Sequence, residues 1–179
     1  MKIHRVVTAR DAKGRSVFLS ASAAPRTHDF VHIPGMAQTQ IWATPPALSL
    51  DGNISDPTLG LTSLVPPLGG TLFTIVAFAP DSVFMGPDFD ALAAAEETQR
   101  ACPGMSELFE SDNPGMHTTD TVDYGIVLEG EIWLELDEGH VQHLHKHDVV
   151  VQNGTRHAWR NKSEQTALVA FVMIGARRS

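Results

Sequence analysis

The sequence predicts an all-β, antiparallel domain, a sandwich or barrel of short strands, with an N-terminal β-hairpin and arm and one short surface helix. Three observations predict it. Most apolar runs are short, rich in Val, Ile and Phe, and separated by turn residues. A single stretch carries the start and stop signals of a helix. The 179-residue chain is 42% hydrophobic with 14 Gly and 11 Pro, a balance that suits one core interrupted by many turns.

The elements follow in chain order. "HRVVTARDAKGRSVFLS" reads as a hairpin around the turn "DAKG". Residues 21 to 70 hold one candidate strand, "QTQIWAT", and then "TPPALSLDGNISDPTLGLTSLVPPLGG", a stretch of Pro, Gly, Asp and Asn that predicts a long loop. Residues 1–70 are therefore expected to form N-terminal strands and an arm packing on the barrel or on a partner subunit, with residues 71–179 as the barrel itself. "TLFTIVAFAP" resumes the strand pattern, and "DFDALAAAEETQRACPG" is the helix, capped by Asp and stopped by "CPG". Apolar segments then recur at close spacing from "YGIVLEG" to "TALVAFVMIG".

Bulk properties exclude several function classes. A formal charge of −8 argues against a surface for nucleic acid or an anionic membrane, because phosphates need a basic face. No apolar run approaches the roughly 20 residues a membrane helix needs, and "MKIHRVVTAR" has no signal-peptide core. Cys102 is the only cysteine, so it has no internal disulfide partner. A cytoplasmic protein is expected. There is no serine in a nucleophile elbow and no phosphate-binding glycine loop, and Cys102 in "RACPG" has no base nearby in sequence. The barrel interior is left as the candidate site.

Local patterns indicate what faces it. In "GMHTTDTVDYGIVLEGE", His117, Thr119 and Asp123 occupy odd positions and share one face of a strand, with Gly125 next on that face as a source of open volume. In "VVVQNGTRHAW" the Asn153-Gly154 pair predicts a two-residue hairpin, placing Gln152 opposite Thr155 and Val150 opposite His157. Val150, Gln152, Thr155, His157 and Trp159 would then project to one side. Trp159 could wall a pocket for a planar ligand or simply fill space, whereas Ile132, Leu134 and Leu136 are better core candidates than Trp133.

These two stretches resemble the paired motifs of the cupin superfamily, whose small single-domain members are jelly-roll barrels. The likeness runs over about residues 115 to 175. Matched by position, His117 is the first metal-binding His, Thr119 replaces the second, Asp123 replaces the Glu, and Gly130 closes the motif. In the second motif His147 stands where Gly precedes Asp148, the turn is one residue shorter, and His157 and Asn161 match the last metal-binding His and the closing Asn. The resemblance implies one divalent metal ion (Fe, Mn, Ni or Zn) held by His117, Asp123 and His157, with Thr119, Gly125, Gln152, Thr155 and Trp159 lining the pocket. It also implies a homodimer built through the N-terminal strands.

Two functional readings stand. One is a metal-dependent cupin enzyme acting on a small organic molecule, as a dioxygenase, isomerase or decarboxylase. The other is a metal-free small-ligand-binding barrel, in which His117 and His157 bond to Thr119 and Asp123 without an ion. A second cluster, "GHVQHLHKHD", puts His143, His145 and His147 on one strand face, where a solvated outer surface is the expected role. Glu129 and Glu131 are expected to be solvated as well.

Overall fold

The computed structural model describes residues 1–50 and 55–178. Its strands are β1 (His4–Arg10), β2 (Ser16–Ala23), β3 (Arg26–Asp29), β4 (Ala37–Thr44), β5 (Thr71–Phe78), β6 (Thr121–Glu129), β7 (Glu131–Glu135), β8 (Val141–His145), β9 (Val149–Asn153), β10 (Ala158–Arg160) and β11 (Ala167–Gly175), with one α-helix, α1 (Ala91–Ala101), among the described residues. All strand pairs are antiparallel. A six-stranded sheet, β3-β4-β5-β11-β6-β9, and a three-stranded sheet, β10-β7-β8, pack across one core, while β1 and β2 pair only with each other.

Alternation builds that core. Inward residues of the large sheet (Leu72, Val127, Val169, Phe171 and Met173) meet Ile132, Leu134 and Leu144 of the small one. At roughly 25 cal/mol per Å² of apolar surface, this burial is the main force holding the two sheets together.

The two sheets are linked by a single folded ribbon. β6 pairs with β9, and their continuations β7 and β8 pair with each other in the other sheet. The ribbon bends between residues 127–131 on one strand and 145–148 on the other, where the His147 amide donates to the Val127 carbonyl at 2.8 Å, and Gly130 and His147 are both left-handed, with φ +71 and +77. Glycine suits such a bend, and histidine is among the residues that tolerate it. At Gly130 a side chain is excluded twice, since a Cβ there would lie 3.1 Å from the Ala167 Cα and the Thr166 carbonyl.

The N-terminal hairpin and the helix form as the sequence predicts. Asp90 caps α1 by accepting from the Leu92 and Ala93 amides at 3.1 and 3.0 Å. Buried Glu97 then ties the helix to the β3–β4 loop, accepting from the Val31 and His32 amides at 2.9 and 2.8 Å.

One expectation is met and another corrected. β4 lies where "QTQIWAT" predicts a strand, and the short β3 precedes it; both belong to the large sheet, with β4 paired along its length with β5. Of the loop expected over 44–70, residues 51–54 lie outside the described residues. The Asn153-Gly154 hairpin is absent. β9 pairs with β6, β10 pairs with β7, and Asn153 lacks the positive φ that a two-residue turn demands. Gly154 alone is left-handed, at φ +59, where the chain crosses from one sheet to the other. No described helix is long and apolar enough to cross a membrane.

Candidate metal centre

β6 and the segment before it deliver the first group of side chains. His117, Thr119, Thr121 and Asp123 are all buried, whereas Asp120 and Tyr124 face outward, so the odd-position register extends into the barrel. His157 joins them from the other sheet through a two-way backbone bridge, His117 N–H to the His157 carbonyl and the reverse, each 2.9 Å. The two imidazoles lie with ring centroids 4.3 Å apart.

Both histidines are held by backbone carbonyls rather than by Thr119 or Asp123. His117 Nδ1–H donates to the Gly115 carbonyl at 3.0 Å, and His157 Nδ1–H donates to the Thr155 carbonyl at 2.9 Å. A carbonyl can only accept, so each ring carries its proton on Nδ1 and leaves the Nε2 lone pair free. Burial lowers the pKa of both. His157 falls to about 4, because burial is reinforced by the neighbouring His117, and burial also lowers His117, partly offset by its carbonyl bond and by Glu110. Near neutral pH the pair is uncharged.

Asp123 lies further along β6. Its Oδ1 is buried with no hydrogen-bond partner, and burial raises its pKa to about 6, opposed only by the Thr121 hydroxyl. Thr121 also donates to Thr119 Oγ1 at 2.8 Å, so its single proton serves one neighbour at a time.

These donors can be tested against a divalent ion. Two imidazole nitrogens with free lone pairs and an orphaned carboxylate oxygen are chemically suited to a borderline first-row cation. Thr119 adds only a neutral hydroxyl. The spacing is less complete: among the described residues, Glu131, His143 and His145 are the group of three donors whose ligand atoms all lie within 4.8 Å of one another. Asp123 therefore does not close on both interior imidazoles, and would reach a shared ion by side-chain movement or through water. With that adjustment the interior set fits a metal.

The other expected pocket residues divide. Gln152 is buried and Trp159 half-buried, but Thr155 is exposed and donates to Gln152 Oε1 at 2.8 Å. Gly125 provides no open volume, because a Cβ there would meet the Phe171 ring at 3.2 Å. Phe171 fills the space from β11, 46 residues away, a neighbour that local pattern does not show. Aromatic rings continue from the metal-ligand candidates into the core: Phe109 lies edge-on to His117 at 5.1 Å, Trp159 edge-on to His157 at 6.0 Å, and Phe171 5.2 Å from Trp159. Phe109 was not legible as a site residue, since only the fold of residues 105–116 brings it there. Arg156 fastens that loop by a bidentate grip on Glu110 at 2.7 and 2.6 Å.

Outside the barrel, the small sheet carries the second group. Glu131 sits across from His145, and Trp133 across from His143. His143 Nε2 meets Glu131 Oε2 at 2.8 Å, and its ring stacks on Trp133 at 3.9 Å and 7°. Glu131 thus has an imidazole partner instead of solvent alone, and His147 is outside the cluster because it turns the ribbon.

Comparison with known proteins is consistent with the fold. No protein-family model matches the chain. It is 48% identical over 81 residues to the phomopsin biosynthesis cluster protein C' of Diaporthe leptostromiformis, covering 42% of this chain and 43% of that protein. It is 43% identical over 65 residues to the oryzines biosynthesis cluster protein J of Aspergillus oryzae, covering 36% of each. A cupin-domain-containing oxidoreductase of Hypocrea virens, virC, is 46% identical over 46 residues, covering 26% of this chain and 24% of that protein. The matched region spans less than half the length of these relatives. With the strand order above, the cupin-domain relatives bear out the resemblance: the chain carries a cupin-type barrel.

Proposed function

We propose that this chain is a metal-dependent cupin enzyme that carries out oxidation–reduction chemistry on a small organic molecule bound in the barrel. The observation that carries the reading is the pair of buried imidazoles, each fixed at Nδ1 by a carbonyl so that both Nε2 lone pairs are free. That is how a protein prepares histidines as ligands before an ion arrives. The relatives support the chemical class, since two are named as cupin-domain-containing oxidoreductases and others as biosynthesis cluster proteins.

In this reading His117 and His157 hold the ion and Asp123 completes the set. A bound Fe, Mn, Ni or Zn ion would supply Lewis acidity or, for a redox-active metal, an electron-transfer centre. The chain's own residues do the rest. Phe109 and Trp159 flank the two imidazoles as apolar walls that would shield a bound substrate from water, with Phe171 packed behind Trp159. Without an ion, burial raises the Asp123 pKa to about 6; with the ion bound, Asp123 serves as a ligand carboxylate. Gln152 offers an amide beside Asp123 on the adjacent strand.

The alternative is a metal-free binding barrel, favoured by the neutral Thr119 and by the distance of Asp123 from the imidazoles. Metal content separates the two. Protein purified without a His-tag or nickel resin should contain near one equivalent of one metal per chain by plasma mass spectrometry, lost in His157→Ala. Absence of metal after soaking in Fe(II), Mn(II) and Zn(II) would establish the alternative.

We also read the chain as a homodimer. The β1–β2 hairpin pairs with no other described strand and exposes Val6, Val17, Phe18 and Leu19. An isolated hairpin is marginal in water, and a second copy would cover those side chains. A monomer mass by light scattering at micromolar concentration would contradict this.

A further inference from the structure

We propose that the outer face of the β7–β8 ribbon is a second, independent cation site, in which Glu131, His143 and His145 bind a zinc-class divalent ion. It does not rest on the reading of the interior. The ligand atoms of these three residues all lie within 4.8 Å of one another. Donors bound about 2.1 Å from a tetrahedral ion stand roughly 3.4 Å apart, so side-chain rotation alone brings them into place.

The sheet fixes this convergence. His143 and His145 are two apart on β8 and share its outer face, while the register sets Glu131 directly opposite His145 and diagonal to His143. Their rings are 4.1 Å apart at the centroids. His143 is further immobilised by the Trp133 indole stacked flat on it. A rigid sheet face with one ring pinned has already lost much of the side-chain freedom that binding would otherwise cost.

The donor set selects the cation. Two neutral imidazoles and one carboxylate favour a borderline ion such as Zn²⁺ over Mg²⁺ or Ca²⁺, which prefer oxygen. Three protein donors leave a fourth position for water or another ligand. An ion bound at His143 Nε2 would take the place of its 2.8 Å hydrogen bond to Glu131, the ring keeping its proton on Nδ1. Glu131 and His143 are about one-third exposed and His145 about two-thirds, so an ion reaches the site directly from solvent.

His147 provides the internal control. It belongs to the same histidine run but sits at φ +77 in the ribbon bend, outside the cluster, so His147→Gly removes an imidazole at a position suited to glycine. The experiment is a calorimetric titration with Zn²⁺ of the His157→Ala chain, in which the interior site is disabled. One equivalent should bind. Adding His145→Ala or Glu131→Gln should weaken it at least about tenfold, and His147→Gly should leave it unchanged. Should His157→Ala fail to fold, the same substitutions in the unmodified chain should remove one equivalent of the total. No zinc binding by the parent, equal binding after His145→Ala, or equal weakening by His147→Gly would overturn the site.

Discussion

The barrel interior and the outer face of the same ribbon offer nearly the same donors, two imidazoles and a carboxylate, in opposite conditions. Inside, His117 and His157 are buried, neutral and held by carbonyls, but Asp123 stands away from them. Outside, Glu131, His143 and His145 converge but are only partly shielded from water. A cross-strand register brings residues together at no extra cost, whereas enclosure comes only from the packing of two sheets. The interior has the enclosure that chemistry on a substrate needs, and the exterior has donors that close on an ion with less rearrangement.

The largest effect that should distinguish them follows ligand removal. His157→Ala should abolish retention of the interior metal while leaving the outer site intact, and His145→Ala should do the reverse. Metal analysis of the two variants side by side checks this, and equal loss in both would merge the sites into one.

Next comes the bend that puts the groups on opposite faces. Gly130→Ala should cost about 2–4 kcal/mol, because its left-handed φ and the close backbone of Thr166 and Ala167 both oppose a Cβ. His147→Gly across the ribbon should instead stabilise by about 1 kcal/mol, since glycine accepts that φ without strain. Denaturant unfolding of both variants measures the contrast.

Asp123 yields a smaller effect whose sign reports on the ion. Its folded pKa of about 6 lies above its ordinary value of 3.8, so charging it destabilises the fold, not at all below about pH 4 and fully above about pH 6. In chelated protein, Asp123→Asn should therefore stabilise by about 2 kcal/mol at pH 7 and by nothing at pH 4. His157 acts in the opposite direction: with a pKa depressed to about 4, its contribution is complete above pH 6.5 and lost as pH falls toward 4. In metal-loaded protein, Asp123→Asn should lower the melting temperature.

The smallest effect belongs to the exterior. Glu131→Gln should change stability without metal by less than about 0.5 kcal/mol, as expected of a partly exposed pair. Thermal unfolding in the presence of a chelator checks it.

How much of this was legible in the sequence varied with how local the signal was. The odd-position series from His117 to Asp123 depends only on strand alternation, and it held across the barrel wall. His147, which stands where the motif has Gly, is left-handed as the matched position requires, a conformation that His tolerates. The Asn153-Gly154 hairpin failed because a jelly roll sends the chain to the opposite sheet there, and packing overrode turn preference. Strand β4 was visible as "QTQIWAT", whereas the open volume expected beside Gly125 is taken by Phe171 on a distant strand. The partnership of Glu131 with His143 needed the β7–β8 register, which the histidine run alone did not provide.

The most direct test is to locate the ions. Crystals soaked in zinc and measured by anomalous scattering should show one peak between the Nε2 atoms of His117 and His157, and a second against Glu131, His143 and His145. A peak at the outer cluster alone would contradict the account, leaving the interior imidazoles as neutral walls of a metal-free pocket.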